Sequence, residues 1–443
     1  MRALLFTLSI LLLLSAASPV SAAAGSRHPG DQALHLAVPA AAHPGPAFKV
    51  DAATRAYLDE LPPGRRKASD AYFEGRYWLI LWNLIWGLAV AWLLLGTRLS
   101  ARMRSFATRC TRFRSIHTAV YALLYIVIVS ALTFPLTLYQ GFFREHAYHL
   151  STQTFPAWFG DQLKGLMLGL VFGTLFLVAL FALLRRAPRT WWIWGSIVGV
   201  LFTLFIAVIG PNVIEPMFNT FTPLPDGPVK QSILSLARAN GVPADNVYVY
   251  DESKQSTRIS AHVSGMFGTT RVSLNDNLLN RTSPAEIRAV MGHELGHYVL
   301  DHSYTLSVFF SIVLFLGFAF VNWSAGAAIR RWGPVWQVHG LSDVAALPVL
   351  AAAFSVWFFL MTPVTNTITR TVEAQADIFG LNAAREPDGF AMAALRLSSY
   401  RKMSPGPVEE FIFYDHPSGR SRIHMAMQWK AENQGAGTAT GAQ

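Results

Sequence analysis

Residues 289–302 read AVMGHELGHYVLDH and contain His293 and His297, four positions apart, with Glu294 beside the first. On a helix, residues four apart share one face, so both imidazoles can bind a single zinc ion. The adjacent glutamate can then accept a proton from the water that attacks a substrate. The spacing therefore predicts metal-assisted hydrolysis. The alternative is a helix that carries two ordinary histidines.

A catalytic zinc ion needs a third protein ligand and one open position. Residues 366–380, NTITRTVEAQADIFG, place Arg370, Glu373 and Asp377 on one helical face. We expect Glu373 to complete a site for one Zn²⁺ per chain. Asp377 and Arg370 are expected to support the ligands from behind, with Asp377 hydrogen-bonded to a ligand imidazole. A solvent-exposed ladder of charged residues is the alternative explanation of this spacing.

The chain around these residues has the composition of a membrane protein. Of its 443 residues, 52% are hydrophobic and only 14% are charged, and this charged fraction is about half of that in soluble proteins. The net charge is +10, but the basic residues cluster between apolar runs, which indicates membrane orientation and no nucleic-acid partner. The single cysteine, Cys110, excludes an intramolecular disulfide and a zinc site built from cysteines.

Six apolar runs approach the roughly 20 residues that cross a bilayer. They predict a mainly α fold, a multi-pass transmembrane helical bundle with the lipid bilayer as a partner. The runs are 77–95, 119–136, 165–184, 191–209, 304–321 and 341–361.

Loop charges predict the orientation of this bundle, because cytoplasmic loops are rich in arginine. Alternate loops carry the arginines, so residues 23–76, 210–303 and the chain from 362 onward are expected to face the extracytoplasmic, periplasmic side. The zinc site would lie there. The arginines in question are Arg98, Arg102, Arg104, Arg109, Arg112, Arg114, Arg185, Arg186, Arg189, Arg330 and Arg331.

The polar segment 210–303 carries its own structural signals. A helical pattern starts at Pro228 and stops at Gly241. Three segments, 246–251, 258–267 and 269–276, have the alternation of a small β-sheet. Ser283 and Glu286 form a capping box that begins the helix of the two histidines.

The N-terminus predicts either a signal peptide cleaved after Ala22 or an uncleaved first membrane helix. The predicted organisation has seven segments. They are 1–22 (signal peptide or first membrane helix), 23–76 (extracytoplasmic arm), 77–209 (four membrane helices), 210–303 (zinc-peptidase insertion), 304–361 (two membrane helices), 362–430 (tail completing the zinc site) and 431–443 (disordered tail).

Three motifs, HELGH, TRTVEAQAD and IEPMFNTFTPLPDG (214–227), together resemble the type I CAAX prenyl proteases, over residues 71–422. The resemblance implies a gluzincin-like zinc protease domain in the membrane bundle. It assigns zinc binding to His293, His297 and Glu373, and the base to Glu294. It also implies that His416, of the pair His416-Pro417, contacts the substrate or the developing oxyanion. Arg420 and Arg422 follow this pair, and we take Arg420 as a substrate contact.

One departure concerns the strand beside the site. Members of this family usually carry Asn-Ala-Tyr there, whereas this chain has Ser260-Ala261-His262. An edge strand can still bind an extended peptide through its backbone, so these three residues are expected to bind substrate.

The expected function is a membrane-embedded zinc metalloendopeptidase that acts on peptides or membrane-associated proteins, lipidated or not. The alternative is a non-catalytic transporter or a scaffold with a structural zinc site. Structural zinc is usually enclosed by four protein ligands, and transporters carry ionisable residues within their membrane helices.

Overall fold

The computed structural model describes residues 36–264 and 270–433. The predicted signal peptide or first membrane helix lies outside these residues, as does most of the predicted disordered tail. The helices are α1 (Val50–Asp59), α2 (Pro63–Gly96), α3 (Leu99–Cys110), α4 (Arg114–Ala147), α5 (Phe155–Arg186), α6 (Trp191–Met217), α7 (Pro228–Ala239), α8 (Asp276–Arg281), α9 (Pro284–Val299), α10 (His302–Trp336), α11 (Leu347–Leu360), α12 (Thr362–Ala384), α13 (Pro387–Arg396), α14 (Pro407–Phe413) and α15 (Gly419–Asn433).

The membrane bundle is confirmed. Among the described residues, five helices (α2, α4, α5, α6 and α10) are long and apolar enough to cross a membrane. A sixth span is formed if α11 and α12, which meet at a bend of 53°, are counted together. The first five predicted runs lie within these spans, and the sixth, 341–361, begins three residues before the bent span, which starts at Val344. Helix α2 begins at Pro63, well before the predicted 77.

The core of the bundle is made of large apolar side chains contributed by several spans, including Leu94, Phe181, Trp191 and Phe318. The indole nitrogen of Trp191 donates to Oδ1 of Asn322 at 2.7 Å. Because a buried polar group without a partner is costly, this bond allows Trp191 to be fully buried.

The chain between the fourth span, α6, and helix α9 forms a four-stranded sheet. Its strands are β1 (Phe221–Pro223), β2 (Val247–Tyr250), β3 (Ala261–Ser264) and β4 (Arg271–Asn275), in the order β1-β2-β4-β3. β2 and β4 are parallel, and the outer strands pair antiparallel to them. The three predicted strand segments are confirmed. β1 was not predicted, because three residues ending in proline show no alternation.

The residues before the first span pack on the end of the chain. Tyr57, on α1, donates to Asp388 at 2.7 Å. Nζ of Lys430, on α15, donates to the same carboxylate at 2.6 Å and to the carbonyl of Ala42 at 2.6 Å. The polar composition of this arm did not predict the contacts of Tyr57 and Ala42, since each joins residues more than 300 positions apart.

Candidate metal centre

Helix α9 begins at the predicted capping box. Oγ of Ser283 accepts a hydrogen bond from the backbone of Glu286 at 3.3 Å, and the Glu286 carboxylate accepts one from the backbone of Ser283 at 2.7 Å. Arg396 of α13 also binds Glu286, with Nη2 at 3.2 Å from Oε2. These contacts satisfy free amides at the start of the helix and fix α9 against α13.

Glycines bring α9 and α12 close together. A Cβ placed on Gly380 would lie 2.7 Å from the backbone nitrogen of His293, and a Cβ on Gly292 would lie 3.0 Å from the carbonyl oxygen of Gly380. Small residues at such a crossing allow the two backbones to approach. The close approach is what carries the acidic residues of α12 to the histidines of α9.

Three side chains converge where these helices cross. Nε2 of His293 lies 3.1 Å from Nε2 of His297 and 3.2 Å from Oε2 of Glu373. Nε2 of His297 lies 3.6 Å from Oε1 of Glu373. One ligand atom from each of the three residues lies within 4.8 Å of the others.

The protonation of His293 follows from its second ring nitrogen. Nδ1 lies 2.8 Å from Oδ1 of Asp377, and a carboxylate can only accept, so Nδ1 carries the proton. When the ring is neutral, Nε2 can offer its lone pair to a metal ion, and this atom points at His297 and Glu373. Asp377 is itself held by Arg422, whose Nε donates to Oδ2 at 2.9 Å.

His297 is oriented by residues that the sequence analysis assigned no role. Nε2 of His302 lies 3.2 Å from the amide oxygen of Gln375 and therefore donates, which leaves Nδ1 of His302 as an acceptor. Nδ1 of His297, at 3.0 Å, donates to that acceptor, and its Nε2 also keeps a lone pair. His302 is only 2% exposed. Asp301, at φ 54°, turns the chain so that His302 faces His297, and no sequence pattern predicted this turn.

These contacts test whether the residues fit a metal ion. Two imidazole nitrogens and a carboxylate face one another within 4.8 Å. Oε2 of Glu373 is buried without a hydrogen-bond partner among the described residues. Such a group of lone pairs is unfavourable in isolation and is what a divalent cation with nitrogen and oxygen ligands requires. The residues fit a metal.

A cavity of about 270 Å³ opens beside the three residues. Glu294 lines it next to His293, outside the converging group of ligand atoms. Burial raises the pKa of the Glu294 carboxyl, while the two neighbouring histidines lower it. The remaining lining residues include Ser260, Ala261, Leu278, Val290, Phe390, Leu397, Tyr400, Arg401, His416 and Arg422.

His416 reaches the cavity from the segment between α14 and α15. Its Nε2 lies 3.3 Å from Oε2 of Glu373, and its Nδ1 lies 2.9 Å from Oδ1 of Asp415. The hydrogen bonds of Arg370 do not go to the histidines of α9. Its Nη1 donates to the carbonyls of Glu410 at 2.8 Å and Tyr414 at 2.6 Å, so it holds the segment that carries His416.

Two other candidates lie elsewhere. Arg420 is exposed and faces a surface groove with His424 and Trp429, whereas Arg422, two residues on, lines the cavity. Residues two apart lie on different helical faces, and the sequence alone could not show which face was inward. The side chain of His262 is 3.7 Å from the Glu215 carboxylate and away from the cavity.

Strand geometry explains the position of His262. Successive side chains of a strand point to opposite faces, so Ala261 faces the cavity while the His262 ring packs 5.6 Å from the ring of Tyr250. Burial lowers the pKa of His262 to about 4, so its ring is neutral. Ser260 and Ala261 therefore border the cavity and His262 supports the strand from behind.

A buried centre of this composition, with an unligated carboxyl beside it and a multi-pass bundle around it, belongs to the class of membrane metallopeptidases. Two family models match the chain. Peptidase family M48 matches residues 223–430, and the CAAX prenyl protease N-terminal model, with five membrane helices, matches residues 54–220. The Bacillus subtilis metalloprotease YhfN is 30% identical over 75% of this chain and 78% of its own length. The chain belongs to peptidase family M48, in its CAAX prenyl protease branch.

Two further comparisons agree. CAAX prenyl protease 1 of Saccharomyces cerevisiae is 29% identical over 70% of this chain and 73% of its own length. The crystal structure of S. mikatae Ste24p has the same fold, with a TM-score of 0.71 and 23% identity over 83% of this chain and 90% of that one. The protein is thus a metalloprotease, a peptide hydrolase, and the transporter or scaffold alternative is not favoured.

Proposed function

We propose that the protein is a zinc endopeptidase in which His293, His297 and Glu373 hold one Zn²⁺ and Glu294 is the general base. The observation that supports this most directly is the convergence of one possible ligand atom from each of His293, His297 and Glu373 beside the buried Glu294 carboxyl. Two histidines and one glutamate form a well-known set of ligands for catalytic zinc, since they leave the fourth position open.

Zinc in this position supplies a Lewis acid that polarises the scissile carbonyl and makes water more acidic. Glu294 takes the proton of the attacking water and delivers it to the leaving amine. The raised pKa of Glu294 suits both halves of that task, because it brings the carboxyl closer to the working pH. His416, held by Asp415 at 2.9 Å, faces the same space and contacts the substrate.

The substrate peptide binds in extended form along β3. The order of the sheet puts β3 at an edge, and Ser260 and Ala261 border the cavity. Backbone hydrogen bonds to such an edge position a peptide without regard to its side chains. A strand bound there would pass directly in front of Glu294 and the three ligands.

Removal of the metal tests the proposal. Purified protein in detergent should cleave a quenched peptide, lose cleavage and bound metal together on treatment with a chelator, and regain both with one equivalent of Zn²⁺. Metal is counted by mass spectrometry in the same samples, and the Glu294→Gln variant is the control for contaminating proteases. Cleavage that persists in metal-free protein contradicts the proposal. Zinc that binds without any peptide being cleaved instead supports a structural site.

We further propose that this site faces the extracytoplasmic side. Helix α10 begins with His302 at the metal centre, and Val335 near its other end accepts a hydrogen bond from Nε of Arg98 at 3.1 Å. These two residues are 33 positions apart, which corresponds to roughly 50 Å of helix at 1.5 Å per residue. Arg104 binds the carbonyl of Gln337 at 3.0 Å, so arginine-rich segments gather at the end distant from the centre.

The single cysteine can test this orientation. Cys110 is an exposed free thiol at the end of α3, beside the arginines. A membrane-impermeant maleimide should leave it unlabelled in spheroplasts and label it in inverted vesicles. The matched control is Cys110→Ser with Ala239→Cys, an exposed position on α7, which should show the reverse pattern. Labelling of Cys110 from outside would place the metal centre in the cytoplasm.

The name of the yeast relative supports a lipidated peptide as one form of the substrate. Outward-facing apolar side chains on the spans, such as Trp92 and Trp323, support a bilayer around the bundle, which would bring a lipid-anchored peptide near the cavity. Equal rates of cleavage for a prenylated peptide and its unmodified counterpart would remove the lipid from the proposal and leave the endopeptidase intact.

A further inference from the structure

Two arginines line the cavity, and they differ in their partners. Arg422 is neutralised by Asp377, to which its Nε donates at 2.9 Å. Arg401 has no hydrogen bond or ion pair from its guanidinium to any residue that the structure describes, and its Nη1 is buried without a partner. The side chain as a whole is half-buried, and a buried donor without a partner is costly, so Nη1 of Arg401 can still bind an acceptor in this cavity.

The backbone of Arg401 is firmly held. Oγ of Ser69, on α2, donates to its carbonyl at 2.9 Å. The next residue, Lys402, donates to Glu409 at 2.9 Å. The preceding residue, Tyr400, has the guanidinium of Arg258 at 5.2 Å from its ring centroid. Because the neighbours are fixed on both sides, the guanidinium is presented to the cavity from a rigid base.

The charges around Arg401 leave room for one more anion. Its guanidinium is 5.9 Å from the Tyr400 ring centroid. Arg401 and His416 line the same cavity. Asp415 binds His416 at 2.9 Å and Arg76 at 3.7 Å and forms no ion pair with Arg401.

Part of the wall is apolar, with Leu278, Val290, Phe390 and Leu397 lining the same cavity. Charges attract more strongly in such surroundings than in water. A guanidinium binds a carboxylate through two parallel hydrogen bonds, and the anions that an unmodified peptide brings are its C-terminus and the side chains of Asp and Glu.

We propose that Arg401 binds a carboxylate of the substrate peptide and thereby selects which peptides are cleaved. The carboxylate is either the free C-terminus or an acidic side chain close to the scissile bond. This inference rests on the proposed peptidase function and names the substrate class of the same site. Arg401 acts in binding and takes no part in the proton transfers.

The test compares the cleavage, by the intact protein, of three quenched peptides that are derived from one parent sequence. The first ends in a free carboxylate, the second in an amide, and the third in an amide but with a glutamate near the scissile bond. We expect the wild type to show a KM roughly tenfold to hundredfold lower for the acid or the glutamate peptide than for the neutral amide. A preference for the first identifies the C-terminus as the ligand, and a preference for the third identifies a side chain.

Arg401→Gln should remove this preference by raising the KM for the preferred peptide to that for the neutral amide, and Arg401→Lys should restore part of it. Arg238→Gln makes the same charge change on an exposed face of α7 and should keep the preference. A preference that survives in Arg401→Gln overturns the proposal, as does a wild type that cleaves all three peptides equally.

A second measurement does not depend on the folding of a variant. Product peptides with a free carboxylate or an acidic side chain should inhibit the wild type competitively, and neutral products of the same sequence should inhibit roughly tenfold or more weakly. Equal inhibition contradicts the role of Arg401. A wild type that cleaves no peptide at all contradicts the peptidase function first, so the two failures are distinct.

Discussion

Glu294→Gln should abolish peptide cleavage while the protein keeps close to one equivalent of zinc. The carboxyl lines the cavity beside His293 but lies outside the three converging ligand atoms. Glutamine fills the same volume and cannot accept the proton of the attacking water. Loss of a general base typically costs 10²–10⁴-fold in rate, and an amide in this position offers no substitute.

Metal content and kcat are measured on the same preparation of each variant. Glu60→Gln, an exposed position after α1, makes the same chemical change far from the cavity and should leave both unchanged. If Glu294→Gln turned over peptide at the wild-type rate, the base would have to be another group. If it lost its zinc instead, Glu294 would be a ligand and the proposed assignment of the three ligands would need revision.

Local patterns predicted the parts of the centre that lie on single elements. The spacing of His293 and His297 fixes both imidazoles on one face of α9, and the capping box at Ser283 fixes where that helix starts. Apolar runs located the spans because crossing a bilayer requires length and low charge. These features depend only on neighbours within about one helical turn or one bilayer thickness.

Features that depend on how elements meet could not be predicted in the same way. His302 lies beside His297 only because the chain turns at Asp301. Arg422 faces the cavity and Arg420 does not, which depends on how α15 is rotated against α12. The bend of 53° between α11 and α12 likewise follows from packing.

The glycines of α9 and α12 are visible in the sequence, but the sequence alone does not show that they lie where the two helices cross. Gly292 and Gly296 flank His293, and Gly380 follows the acidic segment. Each reads locally as an unfavourable residue within a helix. Only the crossing of the two helices gives them a purpose, because a Cβ at Gly380 would collide with the backbone of His293.

Glu373→Ala and Asp377→Asn should fail in different ways. Glu373 contributes one of the three converging atoms that we propose as ligands, so its removal should empty the site and abolish cleavage together. Asp377 binds Nδ1 of His293 at 2.8 Å and Arg422 behind it. Asparagine keeps its shape and an acceptor, which avoids leaving Arg422 buried without any partner. We expect metal affinity or rate to fall by roughly 10–100-fold without disappearing.

Zinc titrations followed by mass spectrometry, with cleavage of one quenched peptide, separate these outcomes. Asp245→Asn, an exposed loop position, is the matched control for the aspartate change and should behave as the wild type. The decisive observation is which of the two variants, Glu373→Ala or Asp377→Asn, loses the metal. An Asp377→Asn protein without metal, beside a Glu373→Ala protein that retains it, would make Asp377 the third ligand. Helix α12 would then have to be displaced by about one helical turn relative to α9. Arg422 would have to release the Asp377 carboxylate that it binds in this structure.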